Sequence, residues 1–229
     1  MEKDYILKLF RFNNTVFTFK EISLIWKETD TNLTKKRIYR YVKSGKMYPI
    51  RRGIYAKDKN YDRMELATKI FTPSYVSMET VLAREGVIFQ YYDQIFVVSY
   101  ITRELFCDGQ TYVYRKLKDT VLANPFGIEQ KENYATATLE RAFLDMLYLN
   151  KDYHFDNLTP LDPKKILELL PLYDNQTMVK RLESYRCKRC GHPFIRHTQT
   201  ELVQRPGGNQ KVYVHKCEAQ NCKCVDFEG

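Results

Sequence analysis

The cysteines of this chain are concentrated near its C-terminal end, at spacings typical of metal ligands. Five of the six cysteines lie in residues 187–229. Cys187 and Cys190 form a CxxC pair, and Cys217 and Cys222 form a CxxxxC pair. Between the pairs lie two strand-like runs, TQTELVQR and KVYVHK, separated by the turn-forming PGGN. Two cysteine pairs joined by a β-hairpin are typical of a zinc ribbon, so these four cysteines are the predicted ligands.

The identity of the fourth ligand is open at the level of the sequence. Cys224 is a spare thiol that can replace Cys222, and His192, His197 and His215 are alternatives. Reduced cysteines that bind no metal are a further alternative. A module of 43 residues is too small for a strong apolar core, so a metal would supply most of its folding free energy. Four thiolates leave no open position for water, and we therefore expect one structural Zn²⁺.

A block of cations in the first quarter of the chain is the second set of residues suited to binding. Nine Lys and Arg and no acidic residue lie between Asp30 and Asp58. Residues 1–65 hold 16 basic against 8 acidic side chains, a net charge of +8, whereas residues 66–186 have −2 and residues 187–229 have +3. Like charges repel one another in a folded domain unless they face an anion. The block therefore indicates nucleic acid.

Capping and turn signals assign this block to a helix and a hairpin. After a short amphipathic helix, Thr18 and Glu21 form a capping box at the start of a second helix, following a loop FNNTV. A third helix is predicted from about residues 32–34 to Gly45, a residue that commonly ends helices. Two β-prone runs, KMYPI and GIYAK, then flank an Arg-Arg-Gly turn. This order is that of a winged helix-turn-helix.

Cations on the outer face of the third helix fit the major groove of duplex DNA, and the hairpin arginines fit the adjacent backbone or minor groove. RNA is an alternative, since winged helices also bind it. The predicted DNA-binding residues are the cations of the helix and of the hairpin: Lys35, Lys36, Arg37, Arg40, Lys43, Arg51 and Arg52.

Residues 66–186 contain no recognisable catalytic constellation. His154 is the only histidine there, and Glu140 and Asp145 are five residues apart, so they do not share a helical face. We expect both carboxylates to be surface or capping residues, and Cys107, within an apolar strand, to be a small core residue. The chain is therefore predicted not to be an enzyme. A nucleic-acid enzyme with its active site in this region is the less favoured alternative.

Three blocks in order resemble the AbiEi family, the antitoxin and regulator components of type IV toxin–antitoxin (abortive-infection) systems. They are LTKKRIYRYVKSGKMYPIRRGIYA, SYVSMETVLAREGVI and ATATLERAFLDMLYL, and the resemblance covers roughly residues 5–185. It implies a winged helix that binds the operator of the protein's own operon, an antitoxin domain, and a nucleotidyltransferase-like toxin as partner, whose direct contact with the antitoxin is left open. The cysteine-rich tail is not part of the family pattern.

The sequence thus predicts an α+β protein of three parts: a winged helix-turn-helix at 1–63, a mixed α/β antitoxin domain at 64–186 and a zinc ribbon at 187–229. The predicted function is a DNA-binding antitoxin and autorepressor. A stand-alone transcription regulator, whose middle domain senses a ligand or partner, is the alternative. No apolar run is long enough to span a membrane and the N-terminus has no signal-peptide pattern, so a cytoplasmic location is expected.

Overall fold

The computed structural model describes the backbone of residues 5–187, 190–204, 211–218 and 225–227. It describes side chains for the first of these ranges and, in the tail, for residues 190–197 and 217–218. The architecture is mixed α+β, as the sequence predicts.

The described residues form nine α-helices and twelve strands. The helices are α1 (Tyr5–Phe10), α2 (Phe19–Trp26), α3 (Thr31–Lys43), α4 (Arg63–Ile70), α5 (Glu79–Arg84), α6 (Asp119–Leu122), α7 (Leu139–Leu149), α8 (Pro163–Leu169) and α9 (Gln176–Ser184). Two 3₁₀ turns cover Leu170–Tyr173 and Phe194–Arg196.

The strands form three sheets, of order β1-β3-β2, β6-β7-β5-β4-β9-β8 and β10-β11-β12. They are β1 (Val16–Thr18), β2 (Tyr48–Arg51), β3 (Ile54–Ala56), β4 (Ser74–Val76), β5 (Ile95–Ser99), β6 (Arg103–Cys107), β7 (Gln110–Lys116), β8 (Ile128–Gln130), β9 (Ala135–Ala137), β10 (His197–Gln204), β11 (Lys211–Cys217) and β12 (Val225–Phe227).

The chain divides into two compact units that interleave in sequence. The first unit combines the chain up to Val76 with Asp93–Lys116 and Gln130–Thr136. The second combines Ser77–Tyr92 and Leu117–Glu129 with the chain from Ala137 onward. The three-part division predicted from the sequence stays a prediction.

The start of the first unit follows local sequence signals closely. Thr18 caps α2, and the reciprocal capping box with Glu21 is formed: Thr18 N–H donates to Glu21 Oε2 at 2.7 Å and Glu21 N–H donates to Thr18 Oγ1 at 3.2 Å. Asp30 caps α3 by accepting from the N–H groups of Asn32 and Leu33. The predicted capping box and hairpin are confirmed.

The prediction that residues 12–16 form a loop before α2 is partly wrong. The last of these residues, Val16, begins strand β1, which pairs antiparallel with β3 from Val16↔Ala56 to Thr18↔Ile54. Val16 is fully buried, so tertiary burial decides its conformation. The partner strand is distant in sequence, so the residues near Val16 do not predict this pairing.

A buried carboxylate fixes β1 to α4 within the first unit. Glu65 on α4 is fully buried and accepts hydrogen bonds from Thr15 N–H at 2.8 Å, Thr15 Oγ1 at 2.7 Å and Asn14 Nδ2 at 3.0 Å. Lys69, one turn along α4, places its ammonium 3.0 Å from Glu65 Oε1. The three hydrogen bonds from Asn14 and Thr15 therefore hold the segment that leads into α2.

The second unit is organised around a buried ion pair on α7. Arg141 and Asp145 have no exposed side-chain surface and lie 3.4 Å apart, Nε to Oδ1. Arg141 also donates to the carbonyls of Val121 and Phe126, each at 2.7 Å. Tyr173 donates to Asp145 Oδ1 at 2.6 Å. Burial of both charges is tolerated because their hydrogen-bonding groups are satisfied.

The prediction that Glu140 and Asp145 are surface or capping residues is therefore wrong for Asp145. Glu140 is not at the surface, but its carboxylate accepts from the backbone N–H of Asp162, the N-cap of α8, at 3.3 Å. Asp145 is fully buried, accepting also from Ser77 Oγ at 2.7 Å, and Glu140 is only 7% exposed. Sequence spacing alone cannot show that a helix is enclosed on all sides. The prediction for Cys107 is confirmed, since it is buried in the first unit's core.

Two strands of the tail form an antiparallel hairpin, β10–β11, as the sequence predicts, and β12 adds a third strand that was not predicted. His197 opens β10 directly opposite Cys217, the last residue of β11. Along the parts of the chain that the structure describes, no helix has the length and apolarity required to cross a membrane.

Replacing Arg141 by Ala is expected to lower the free energy of unfolding by about 3–5 kcal/mol, because the carboxylate of Asp145 would stay buried without its cation. Urea denaturation followed by circular dichroism measures this loss. The control is Arg84→Ala, which removes an exposed ion pair with Glu85 in the same unit and is expected to cost less than about 1 kcal/mol. Equal losses in the two variants would contradict the role given to the buried pair.

Candidate functional site

Helix α3 has a buried side and a charged, exposed side. Thr34 and Ile38 face inward and are buried, and Ile38 packs in a cluster with Trp26 of α2. Residues spaced three, four or seven apart share a helical face. Thr34 and Ile38 therefore mark the packed side of α3, and the exposed cations of the helix point away from it. The exposed cations of α3 are Lys35, Lys36, Arg40 and Lys43.

The hairpin β2–β3 presents two more exposed cations at its turn. Arg51 ends β2, Arg52 follows it, and Gly53 adopts a φ of +81°, a conformation that suits glycine. Beyond the turn Ile54 and Ala56 of β3 are buried. Because β3 pairs with both β1 and β2, the turn is carried on a sheet of three strands.

Arg37 differs from the other predicted DNA-binding residues. Its Nη1 donates to Glu28 Oε2 at 2.5 Å, and its guanidinium lies 4.1 Å from the centre of the Tyr5 ring. The hydrogen bond from Arg37 lowers the pKa of the Glu28 carboxyl, and the same bond raises the pKa of Arg37. Arg37 therefore ties α3 to α1 and to the turn before α3, which makes it a positioning residue of this surface.

Tyr39 is an exposed aromatic residue on the charged side of α3 that the sequence-based site omitted. Its side chain is 65% exposed, and it lies four residues after Lys35 and four before Lys43. Tyr41, by contrast, packs its ring 5.9 Å from the ring of Trp26. The signal that could have found Tyr39 is helical spacing: it falls on the stripe of cations, outside the apolar one.

The hairpin is also held from its other end by an aspartate in the first unit. Asp108, in the β6–β7 turn, accepts hydrogen bonds from Tyr61 Oη at 2.7 Å and from Tyr48 Oη of β2 at 2.9 Å. Arg63 Nη1 lies 3.3 Å from the same carboxylate. The hydrogen bond from Tyr61, aided by those from Tyr48 and Arg63, lowers the pKa of Asp108. The carboxylate is therefore held in its charged form.

A second candidate site lies in the tail, where thiol and imidazole side chains converge. The ligand atoms of Cys187, Cys190 and His197 lie within 4.8 Å of one another, as do those of Cys190, His192 and Cys217. These five residues could hold a metal ion, and Cys190 belongs to both groups. Thiolate and imidazole donors are the ligands that zinc prefers in structural sites.

The structure places three of the four predicted cysteine ligands in these groups: Cys187 in the first, Cys217 in the second and Cys190 in both. The fourth, Cys222, lies outside the described residues, as does its alternative Cys224; the side chain of His215 is not described either. Of the histidine alternatives, His192 and His197 lie beside the thiols: His197 Nε2 is 3.4 Å from Cys190 Sγ, and His192 Nδ1 is 3.6 Å from Cys217 Sγ.

One open cleft of about 370 Å³ lies in the second unit, near His154. Its lining includes Tyr92, Tyr153 and Asp156. His154 is 87% exposed, with Nε2 3.7 Å from Asp156 Oδ1. An exposed, loosely paired histidine lacks the fixed geometry of a general base, so the cleft adds no argument for catalysis.

Comparison of the sequence with models of known protein families found no match, and a search of curated proteins found none either.

The geometry predicts different roles for two arginines of the same helix. Arg37→Ala is expected to lower the midpoint of thermal unfolding by about 2–4 °C, because it removes the contacts with Glu28 and Tyr5. Arg40→Ala is expected to shift it by less than about 1 °C, since Arg40 is exposed. Differential scanning calorimetry measures both. A larger shift for Arg40→Ala would contradict the assignment of Arg37 as the positioning residue.

Proposed function

We propose that the first unit binds duplex DNA as a winged helix-turn-helix, with α3 as the recognition helix and the β2–β3 hairpin as the wing. The observation that carries this proposal is the set of six exposed cations on α3 and on the hairpin turn. Within the described residues none of the six makes an ion pair with a carboxylate. Their charge is thus left for an external anion.

The dimensions of α3 suit the major groove. Its 13 residues span about 20 Å, and the groove, about 12 Å wide, admits a helix. On its exposed side Lys36 and Arg40 can reach phosphates or guanine edges, and Tyr39 can contact a base or a phosphate. The major groove of an RNA duplex is too deep and narrow for side chains to read, so this shape favours DNA over duplex RNA.

We further propose that the protein is an antitoxin and autorepressor acting in the cytoplasm, with the operator of its own operon as DNA partner and a nucleotidyltransferase-like toxin to counteract. The support is the resemblance of three ordered sequence blocks to the AbiEi family. The exposed basic surface fits the repressor half of this role. A stand-alone regulator is the alternative, because the same surface serves it equally well. In neither role does the protein act as an enzyme.

For the tail we propose one structural zinc ion that stabilises a zinc ribbon. The convergent thiols and imidazoles support zinc, and the hairpin that joins them supports the ribbon. When bound, the ion would cross-link the loop containing Cys187 and Cys190 to the base of the hairpin. A small module gains most of its stability from such a cross-link.

The DNA proposal predicts a loss of affinity when the exposed cations are removed in pairs. Lys36→Ala with Arg40→Ala, and separately Arg51→Ala with Arg52→Ala, are expected to weaken binding to the upstream operator at least about tenfold. Each phosphate contact that is lost should also reduce the slope of log K against log salt by about 0.9. Fluorescence anisotropy over a salt series measures both quantities.

The control removes the same charge elsewhere. Lys164→Ala with Lys165→Ala takes two exposed cations from α8 in the second unit and should leave affinity and salt slope unchanged. An equal loss of DNA affinity in this control would show that binding depends only on the net charge of the protein. Full binding by both test variants would exclude α3 and the hairpin as the interface.

The antitoxin proposal predicts growth rescue. Expression of the neighbouring gene product alone should arrest growth, and co-expression of this chain should restore it. A variant with Arg40, Arg51 and Arg52 replaced by Ala should still rescue when both genes are driven by foreign promoters, because autorepression is then not required. Absence of rescue by the unaltered chain at matched expression would favour the stand-alone regulator.

A further inference from the structure

We infer that His197 is the fourth ligand of the metal centre, so that zinc is held by three thiolates and one imidazole: Cys187, Cys190, Cys217 and His197. This inference rests on the proposed zinc binding and concerns which side chains provide it. In this set His197 takes the place of Cys222, the fourth ligand that the sequence spacing favours.

The distance between donor atoms fits a shared ion. A tetrahedral zinc with Zn–S near 2.3 Å and Zn–N near 2.0–2.1 Å places sulfur and nitrogen about 3.6 Å apart. His197 Nε2 lies 3.4 Å from Cys190 Sγ, and Cys187 lies within 4.8 Å of both. These three donor atoms therefore converge closely enough to share one ion.

The protein backbone selects the correct tautomer of His197. Its Nδ1 lies 3.2 Å from the carbonyl oxygen of Phe194 and 3.3 Å from that of Pro193. A carbonyl only accepts hydrogen bonds, so Nδ1 carries the proton and Nε2 presents a lone pair. Metal-binding histidines are commonly oriented by such a bond from the other ring nitrogen. The ring is thus prepared to coordinate through the atom that faces Cys190.

Strand register brings the third thiol to the same face. His197 and Cys217 are direct partners across β10 and β11, so their side chains lie on one side of the sheet, with Cβ atoms about 4.5–5.5 Å apart. The Cys217 thiol lies in the group formed with Cys190 and His192, and Cys190 links that group to the one that contains His197. Both side chains are buried, at 2% and 3% exposure. A hydrogen bond from Glu218 N–H to the Arg196 carbonyl, 2.9 Å, extends the pairing by one step. The base of the hairpin therefore supplies two donors.

The turn that bears the CxxC pair is closed by its own backbone. Cys187 N–H donates to the His192 carbonyl and Gly191 N–H donates to the Cys187 carbonyl, each at 2.9 Å. His192 is itself the main competitor, with Nδ1 3.6 Å from Cys217. It is only half-buried, however, and among the described residues no carbonyl holds its ring, so its orientation is less fixed. We therefore place His192 beside the metal centre but not among its ligands.

Cobalt substitution of the full chain tests the ligand set. The protein is stripped with a chelator and titrated with Co²⁺, whose visible absorption reports how many thiolates surround the ion. Wild type, Cys222→Ser and His192→Ala should each bind one Co²⁺ with the same spectrum of three sulfurs and one nitrogen. His197→Ala should weaken binding at least about 10- to 100-fold, since even outer-shell partners of metal ligands cost that much.

A gain-of-ligand variant keeps the test decisive if His197→Ala fails to fold. His197→Cys should bind Co²⁺ and shift the absorption to longer wavelength, towards the four-sulfur spectrum. Loss of binding in Cys222→Ser with normal binding in His197→Ala would establish four thiolates and overturn the inference. Loss confined to His192→Ala would transfer the role to that residue. If wild type binds no Co²⁺, the zinc proposal itself fails, and the inference with it.

Discussion

The burial of Trp26 is the interaction on which the candidate DNA-binding surface depends. Its ring packs edge-on against Tyr5 of α1 and Tyr41 of α3, and its Nε1 donates to the Tyr5 carbonyl at 2.8 Å. Helix α3 buries only Thr34 and Ile38 fully, so its own apolar surface is small. A helix whose outer side carries like charges is stable only if its inner side is held firmly, and Trp26 provides that support.

Charged groups in this protein serve two opposite purposes, and burial separates them. Glu65 and Asp145 are fully buried, and each is surrounded by donors that fix neighbouring segments. Arg37 belongs to this structural group although it lies within the basic block. The exposed cations around it are left to an external anion. A count of the predicted cations therefore overstates the interface by one arginine, because the charge of Arg37 is balanced by that of Glu28.

Local signals explain how much of the fold and of the sites could be predicted. The Thr18–Glu21 capping box and the Arg-Arg-Gly turn depend on residues only a few positions apart, and the structure agrees with both. Of the cysteine pairs, the structure shows Cys187, Cys190 and Cys217 among the groups that could hold a metal ion, whereas Cys222 lies outside the described residues. Strand β1 and the burial of Asp145 depend on partners distant in sequence, such as β3 and Tyr173. Tyr39 was missed for a different reason: helical spacing places it on the stripe of cations, but the predicted site contained charged residues alone.

The sequence by itself determined that the chain has a basic helix, a basic hairpin and a cluster of metal-ligand residues, because composition and short-range spacing suffice for these. Only the tertiary structure decided which cations remain exposed and which two histidines, His192 and His197, lie beside the thiols. His197 stands ten residues from Cys187 and twenty from Cys217, spacings that indicate nothing. The strand register pairs it with Cys217, and two backbone carbonyls orient its ring. Strand pairing between distant segments, together with local backbone carbonyls, is therefore the basis for preferring one histidine among those that spacing leaves equivalent.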